Sequence, residues 1–304
     1  MSEGFVVARG FVRKLRGGSQ PILVEGTDNC LYVLKFNNNM QGNHLPFNES
    51  AGTELYKACG LAVPEWKPLF VSDGFLDRNP GCWMETSEGL RRPEAGLCFA
   101  SCFLGRPGTR LLEILPGTSH QKVRNRMSFW LAWLLDVCSD HTDNRQAIFE
   151  QGADGKLDAC FIDMGNMFGG PKGDLEALPI ASRYLDPRIY ADIPIHAATD
   201  LLNFVHALNL SKLRRRVLAL PEDWKVSSAL QRFDQSFDRL QNRDLLREYL
   251  QTILKNQLRT ERDRAGAYRT CYSTEPAHLQ PRIAPQSIAV AGCPAFAWHG
   301  VAYG

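Results

Sequence analysis

The 304-residue sequence has no apolar run long enough to cross a bilayer. Its most apolar stretch, residues 127–138, falls far short of the roughly 20 residues a spanning helix needs, so a buried helix explains it better. It also lacks charge of either sign in excess. Thirty-five Lys and Arg against 33 Asp and Glu leave a formal charge of +2, which gives no electrostatic case for nucleic acid or an anionic membrane as partner. The basic run 214–216 lies in a helical pattern and reads as a solvated face.

Cysteine is not scarce, but it is unpatterned. The nine cysteines show no framework spacing, and Cys98 and Cys102 have no second pair or histidines to complete a zinc set. Most read as reduced core residues, which fits a reducing compartment. Residues 1–10 carry no charged segment followed by an apolar one, so a secretory leader is not expected. These absences together predict a cytoplasmic protein. No Gly-x-Ser-x-Gly elbow marks a serine hydrolase, no basic helix-turn-helix marks a DNA-binding regulator, and no internal repeat is present.

What remains is globular. Apolar residues make 44% and charged residues 22% of the chain, enough to bury a sizeable core without staples. The first hundred residues read as strands at 5–8, 21–25, 30–36, 65–71 and 96–103. A turn lies at 26–29, a helix at 48–59 capped by Gly60, and 72–93 is loop-like. Beyond Gly105 the pattern changes. A long helix is predicted at 119–137, with Trp130 and Trp133 in its core stripe. A polar loop at 140–145 and two strands, 146–149 and 157–163, come next. The loop 164–173 follows, then helices at 197–207, 211–218 and 240–264. The tail from 267 is expected to be poorly ordered or peripheral. The predicted fold class is α+β, with a β-rich amino-terminal lobe at 1–105, an α-rich lobe at 106–266 and the tail at 267–304.

Three places could carry chemistry. Arg16-Gly17-Gly18-Ser19 sits between two strands, where glycines let backbone N–H groups approach phosphate, although a plain hairpin turn has the same composition. Lys35 shares a strand face with Val33 and needs an anionic partner there, a phosphate or a carboxylate from Glu49 or Glu54. The third place is two-part. His141-Thr142-Asp143-Asn144-Arg145-Gln146 feeds one apolar strand, and Cys160-Phe161-Ile162-Asp163-Met164-Gly165 ends another. A hairpin would bring Asp143 and Asp163 to one end. Phosphoryl transfer uses such a pair, one carboxylate orienting the attacking hydroxyl and the other holding Mg²⁺ against the phosphates of ATP. Asn144 and Gln146 are amides available to the metal. His141 reads as a histidine bracing the turn.

These motifs, in this order from about residue 12 to 250, resemble the HipA-like kinase family. The resemblance rests on Gly-Gly-Ser-Gln-Pro, Tyr-Val-Leu-Lys-Phe-Asn-Asn-Asn, a Glu-bearing helix ending in Gly-Leu-Ala-Val-Pro-Glu, Asp-His-Thr-Asp-Asn-Arg-Gln-Ala-Ile-Phe, and Phe-Ile-Asp-Met-Gly-Asn-Met-Phe-Gly-Gly. It is nearest to compact bacterial HipA-like domains. The resemblance implies a two-lobed protein-kinase-like fold that binds ATP and Mg²⁺. It implies that Lys35 grips the α- and β-phosphates, Glu49 positions Lys35, Asp143 is the catalytic-loop base, and Asp163 binds metal. It also implies that backbone at Cys102, Phe103 and Gly105 meets adenine, with Gly17, Gly18 and Ser19 over the phosphates. The implied acceptor is a Ser or Thr hydroxyl of a protein. A small-molecule acceptor, or a catalytically silent nucleotide-binding module that works through partner contact, would use similar residues.

The chain departs from the kinase pattern at one point. Five residues after Asp143 stands Ile148, where a metal-binding Asn is expected. Gln146 or Asn144 substitutes, or only one metal is held well. Taking Asp140 as the base puts Arg145 at that position, which is no better.

Overall fold

The computed structural model describes residues 5–105, 109–174, 182–191, 196–207 and 210–255. Met1–Arg262 form one compact unit. The second unit, Asp263–Gly304, lies outside the described residues, as do the predicted tail and the end of the last predicted helix.

The amino-terminal half is a closed barrel. Its strands are β1 (Val6–Lys14), β2 (Ile22–Gly26), β3 (Leu31–Lys35), β4 (Trp66–Val71) and β7 (Gly96–Cys102), in the order β1-β2-β3-β7-β4. Parallel pairing of Val6 with Leu69 closes it. β1 runs well beyond the predicted strand because two register shifts against β2, between Ala8 and Gly10 and between Phe11 and Arg13, bend it round the barrel. Alternating side chains of these strands fill the interior, including Ile22, Val24, Leu34, Leu69 and Cys98.

Between β4 and β7 the expected loop is in fact ordered. α2 (Asp73–Arg78) starts at Ser72, whose side chain accepts from the Phe75 N–H. A small hairpin follows, β5 (Met84–Thr86) and β6 (Gly89–Arg91). Phe75, Leu76 and Met84 drop into the barrel core, so tertiary burial organises a segment whose Gly, Pro and Asp content reads as loop.

α1 (Leu45–Ala58) begins three residues earlier than the periodicity predicts, with Pro46 in its first turn, where a missing N–H costs nothing. Twelve of its fourteen residues, Leu45 to Tyr56, are buried. Its apolar side belongs to a second hydrophobic cluster with the helical half, through Phe47, Ala51 and Leu55. The helix therefore serves both halves.

The helical half opens with β8 (Arg110–Leu112), a short strand the pattern did not reveal, which pairs with β9 (Gln146–Gln151). The predicted helix 119–137 is split into a 3₁₀ turn at Ser119–Lys122 and α3 (Met127–Cys138). The break has a partner. Val123 bridges Leu157, and the Asn125 side chain exchanges hydrogen bonds with the Ala159 N–H and C=O, at 2.9 and 2.8 Å. This pairing wins over continued helix. Trp130 and Trp133 are buried, as expected, with Tyr190 against both rings.

β10 (Leu157–Ile162) forms the expected hairpin with β9, and Ile162 lies opposite Gln146. The loop termini at Asp143 and Asp163 therefore share one end of the hairpin. α4 (His196–Ala207) and α5 (Ser211–Leu218) follow close to prediction. α6 (Ser227–Gln241) is a helix the reading missed. Its stripe of Ala229, Phe233 and Leu240 is diluted by Gln, Asp, Ser and Arg. The helix predicted from 240 is interrupted at Asn242 and resumes over 243–255.

Candidate active site

Lys35 is the last residue of β3 and only 7% exposed. A buried ammonium requires anionic partners, and it has two. Its Nζ forms an ion pair with Glu49 of α1 and a second, at 2.7 Å, with Asp163 Oδ1 just beyond β10. Burial alone would lower the lysine pKa, but Asp163 and Glu49 outweigh it and raise it. Glu54, the other candidate partner, is engaged elsewhere, by Trp66 Nε1 at 3.0 Å and Arg216 at 2.8 Å.

Glu49 does more than hold the lysine. Its carboxylate accepts from the N–H groups of Met164, at 3.2 Å, and Gly165, at 2.9 Å. The helix thereby reads the position of the Asp163 loop directly. The approach is so close that a Cβ on Gly165 would sit 2.4 Å from Leu45 Cδ1 and 2.8 Å from Glu49 Oε1, which is why glycine follows Asp-Met here. Burial raises the pKa of Glu49 against the pull of Lys35.

Asp163 adopts φ of +62°, a left-handed conformation that Asp tolerates better than most residues. Its Oδ1 faces Lys35, and its Oδ2 accepts from Gln146 Nε2 at 2.9 Å. Burial pushes its pKa up, but Lys35 more than reverses this and holds it down at about 2. One ammonium between two carboxylates leaves local negative charge, which suits a divalent cation. Among the described residues no three His, Cys, Asp or Glu side chains converge on a metal position. A cation here would take its other oxygens from amides, phosphates or water, the usual habit of Mg²⁺. The residues present fit both Mg²⁺ and a nucleotide.

Asp143 lies exposed at the mouth of the same hairpin end. Its Oδ1 accepts from the Asn144 N–H at 2.7 Å, and its Oδ2 from Asn166 Nδ2 at 3.5 Å. Asp140, the alternative base, is tied up structurally, since its carboxylate accepts from Arg239 at 2.6 Å. The Asn144 side chain is exposed, and Ile148 sits within β9 opposite Cys160.

Behind the two aspartates lies a buried polar cluster that sequence reasoning did not assign. Arg145 donates to both oxygens of Asp136, at 2.8 and 2.7 Å, and to the carbonyls of Ile162 and Asp163, at 3.0 and 3.1 Å. Its guanidinium lies 5.0 Å from the centroid of the Tyr56 ring, and the Tyr56 hydroxyl donates to Asp136 at 2.6 Å. An Asp inside an otherwise apolar helix was the available signal. His141 braces this turn, its N–H donating to the Asp136 carbonyl. Its ring is 1% exposed and lies near the Asp143 backbone, but neither nitrogen reaches a protein partner at hydrogen-bonding geometry.

At the predicted phosphate turn, Gly17 has φ of +138°, and Gly17 and Gly18 are exposed while Ser19 is buried. Asn39 Nδ2 donates to the Ser19 carbonyl at 2.7 Å, tying the turn to the segment after Lys35. At the predicted hinge the N–H groups of Cys102 and Phe103 are already donated, to Glu65 and Leu31. An adenine edge could use their carbonyls or the N–H groups of Leu104 and Gly105.

No protein-family model matches this chain, and no curated protein does. Solved structures do match. A Helicobacter pylori proinflammatory kinase, CtkA, aligns at 12% identity and a TM-score of 0.50, over 80% of this chain and 94% of its own. The Golgi casein kinase aligns at 10% identity and 0.48, over 82% of this chain and 72% of its own. Its form with Mn/ADP bound aligns at 11% and 0.45, over 81% and 72%. At such identities the first of these likenesses speaks to fold alone, and it agrees with the arrangement of strands and helices above: the chain has a two-lobed, kinase-like α+β fold.

Proposed function

We propose that this protein is an ATP- and Mg²⁺-dependent phosphotransferase of the HipA-like type that acts on a Ser or Thr hydroxyl of a protein. The observation that carries the reading is Lys35, buried and held between Glu49 and Asp163, with the exposed carboxylate of Asp143 at the same end of the β9–β10 hairpin as Asp163. A lysine fixed in this way is a pre-organised cation for phosphate oxygens. Asp163, ionised at any ordinary pH, would hold the metal with help from an amide. Magnesium, when bound, supplies charge neutralisation for the β- and γ-phosphates. Asp143 would orient the acceptor hydroxyl and take its proton. Gly17 and Gly18 would cover the phosphates, and backbone at 102–105 would meet adenine. The protein acceptor follows from the HipA-like resemblance. A cytoplasmic setting follows from cysteine usage, and the seven described cysteines are all free thiols.

Thermal shift and phosphoryl transfer test the reading together. ATP with Mg²⁺ should raise the melting midpoint of the wild type and not that of Asp163→Ala. Transfer of labelled γ-phosphate to protein should vanish in Asp143→Ala. A wild type indifferent to millimolar nucleotide sinks the proposal.

A second reading, a nucleotide-binding module without turnover, is favoured by one observation: Ile148 occupies the place of the expected metal-binding Asn. Nucleotide-dependent stabilisation without transfer to any protein or small-molecule acceptor would select it.

A further inference from the structure

The catalytic loop lacks the amide that kinase chemistry asks of it, and neither substitute drawn from that loop is held by hydrogen bonds with its oxygen towards the site. Gln146 turns its Nε2 towards Asp163 Oδ2 at 2.9 Å. Only the nitrogen end of an amide can face a carboxylate oxygen favourably, so this group holds Asp163 as a donor and does not present its oxygen there. Asn144 contributes its backbone N–H to Asp143, and its side chain is exposed.

A third amide stands on the opposite side of the site. Asn166 follows Asp163-Met164-Gly165, and its Nδ2 faces Asp143 Oδ2 at 3.5 Å. By the same rule its nitrogen end is the one towards the carboxylate. Its Oδ1 makes no hydrogen bond among the described residues and is left as a free oxygen donor. The backbone around it is held with unusual completeness. The Asn166 carbonyl accepts from the Thr142 N–H at 2.9 Å and from the Thr142 hydroxyl at 3.3 Å. The carbonyls on either side, of Gly165 and Met167, both accept from the buried Asn48 Nδ2, at 3.0 and 2.7 Å. Gly165 N–H is bound by Glu49. Three consecutive residues are thus pinned by α1 and by the catalytic loop. The side chain at their centre is half-buried and faces the candidate base. Such bracing orients a metal ligand and contributes little to a core.

The geometry points to Asn166 as the amide ligand that completes the cation site begun by Asp163, replacing the Asn missing from the catalytic loop. The inference rests on the phosphotransferase reading and refines it. The ligand set is drawn from one segment, Asp163 and Asn166 three positions apart with Met164 and Gly165 between them, while Nδ2 of the same amide faces Asp143 Oδ2 at 3.5 Å. The cation is of the hard, oxygen-seeking class, Mg²⁺ or Mn²⁺.

The test reads metal binding, not turnover. Mn²⁺ affinity is measured by electron paramagnetic resonance in the presence of saturating ADP, on wild type, Asn166→Ala, Asn166→Asp and Asn144→Ala. Asn166→Ala should weaken Mn²⁺ by at least about tenfold. Asn166→Asp, which keeps an oxygen ligand, should bind as well as wild type or better. Asn144→Ala should change the affinity less than Asn166→Ala. Melting midpoints without ligand should match wild type in both Asn166 variants, because the bracing bonds run through backbone carbonyls. Equal Mn²⁺ affinity in Asn166→Ala and wild type overturns the assignment and leaves the phosphotransferase reading standing. So does a loss in Asn166→Asp as large as in Asn166→Ala. A wild type that takes up no Mn²⁺ with ADP overturns both.

Discussion

Arg145 and Asp136 form a two-bond ion pair with side chains 1% and 0% exposed, directly behind the loop that presents Asp163. The remaining Arg145 nitrogen donates to the Ile162 and Asp163 carbonyls, so the pair fixes the backbone at which β10 ends. Burial disfavours a charged guanidinium, but Asp136 and the Tyr56 contact keep Arg145 firmly protonated.

Breaking such a pair costs more than forming it contributes, because a charge is left buried without its partner. Asp136→Asn should therefore destabilise the protein by about 3–5 kcal/mol. Denaturant unfolding at neutral pH measures this, and Arg145→Met gives the comparison in which no charge is stranded on the arginine side. A loss below about 1 kcal/mol for Asp136→Asn would match a surface pair and contradict the burial argument.

Gly165→Ala probes the contact between α1 and the Asp163 loop. The new methyl would meet Leu45 and the carboxylate of Glu49, which is itself held by Lys35 and cannot retreat without breaking the triad. Overpacking of this kind costs about 1–3 kcal/mol. The melting midpoint should fall by several degrees, and the shift produced by ATP and Mg²⁺ should shrink with it. Retention of the full nucleotide shift would show that the Glu49 contact is dispensable.

The lysine and the two aspartates stood out as candidates because each breaks a local apolar pattern: Lys35 inside a β strand, Asp163 at a strand's end before Gly, Asp143 in a polar loop feeding a strand; the pattern left Glu49 and Glu54 equal as partners of the lysine. The hairpin between β9 and β10 followed from two apolar runs close together in sequence, with Gly152-Ala153-Asp154-Gly155 between them. Asp136 was not legible as a partner for Arg145, because helical periodicity does not say which residue nine positions away folds back onto it. Asn166 escaped for a related reason. Its orientation depends on Asn48, 118 positions earlier, and on Thr142, neither of which local pattern connects to it. α2 was hidden because barrel burial of Phe75 and Leu76, not propensity, organises it.

His141 should make stability depend on pH. Burial, with Arg145 nearby, lowers its pKa to about 4 despite the opposing pull of Asp136 and Asp163. In the unfolded chain the ring titrates near 6.5. Between these values the unfolded state binds the extra proton, so stability is full above about pH 6.5 and falls as the pH drops towards 4. At pH 5 the loss attributable to this ring is on the order of 2 kcal/mol, at about 1.4 kcal/mol per unit. His44, also lowered by burial, adds a slope of the same sign. The measurement is therefore a difference: denaturant unfolding at pH 7 and pH 5 for wild type and His141→Asn. The variant should lose less on acidification, and equal losses would mean that His141 is not held neutral.

Lys35→Met tests the centre of the site and separates its structural part from its chemical part. Without the ammonium, Glu49 and Asp163 are two carboxylates left with no cation between them, in a space only 9% exposed at the lysine. The folded state should lose about 3–5 kcal/mol, in line with other buried pairs that lose one member. Phosphoryl transfer should fall by about 10²–10³, the usual cost of removing one pre-organised electrostatic group. Added Mg²⁺ without nucleotide then distinguishes the charge argument from simple loss of packing. In wild type the lysine already neutralises one carboxylate, so the cation gains little. In Lys35→Met it meets both carboxylates without a competitor, and the melting midpoint should rise more than in wild type over the same Mg²⁺ range. A variant that is destabilised yet no more responsive to Mg²⁺ than wild type would mean that Glu49 and Asp163 do not form a shared anionic site.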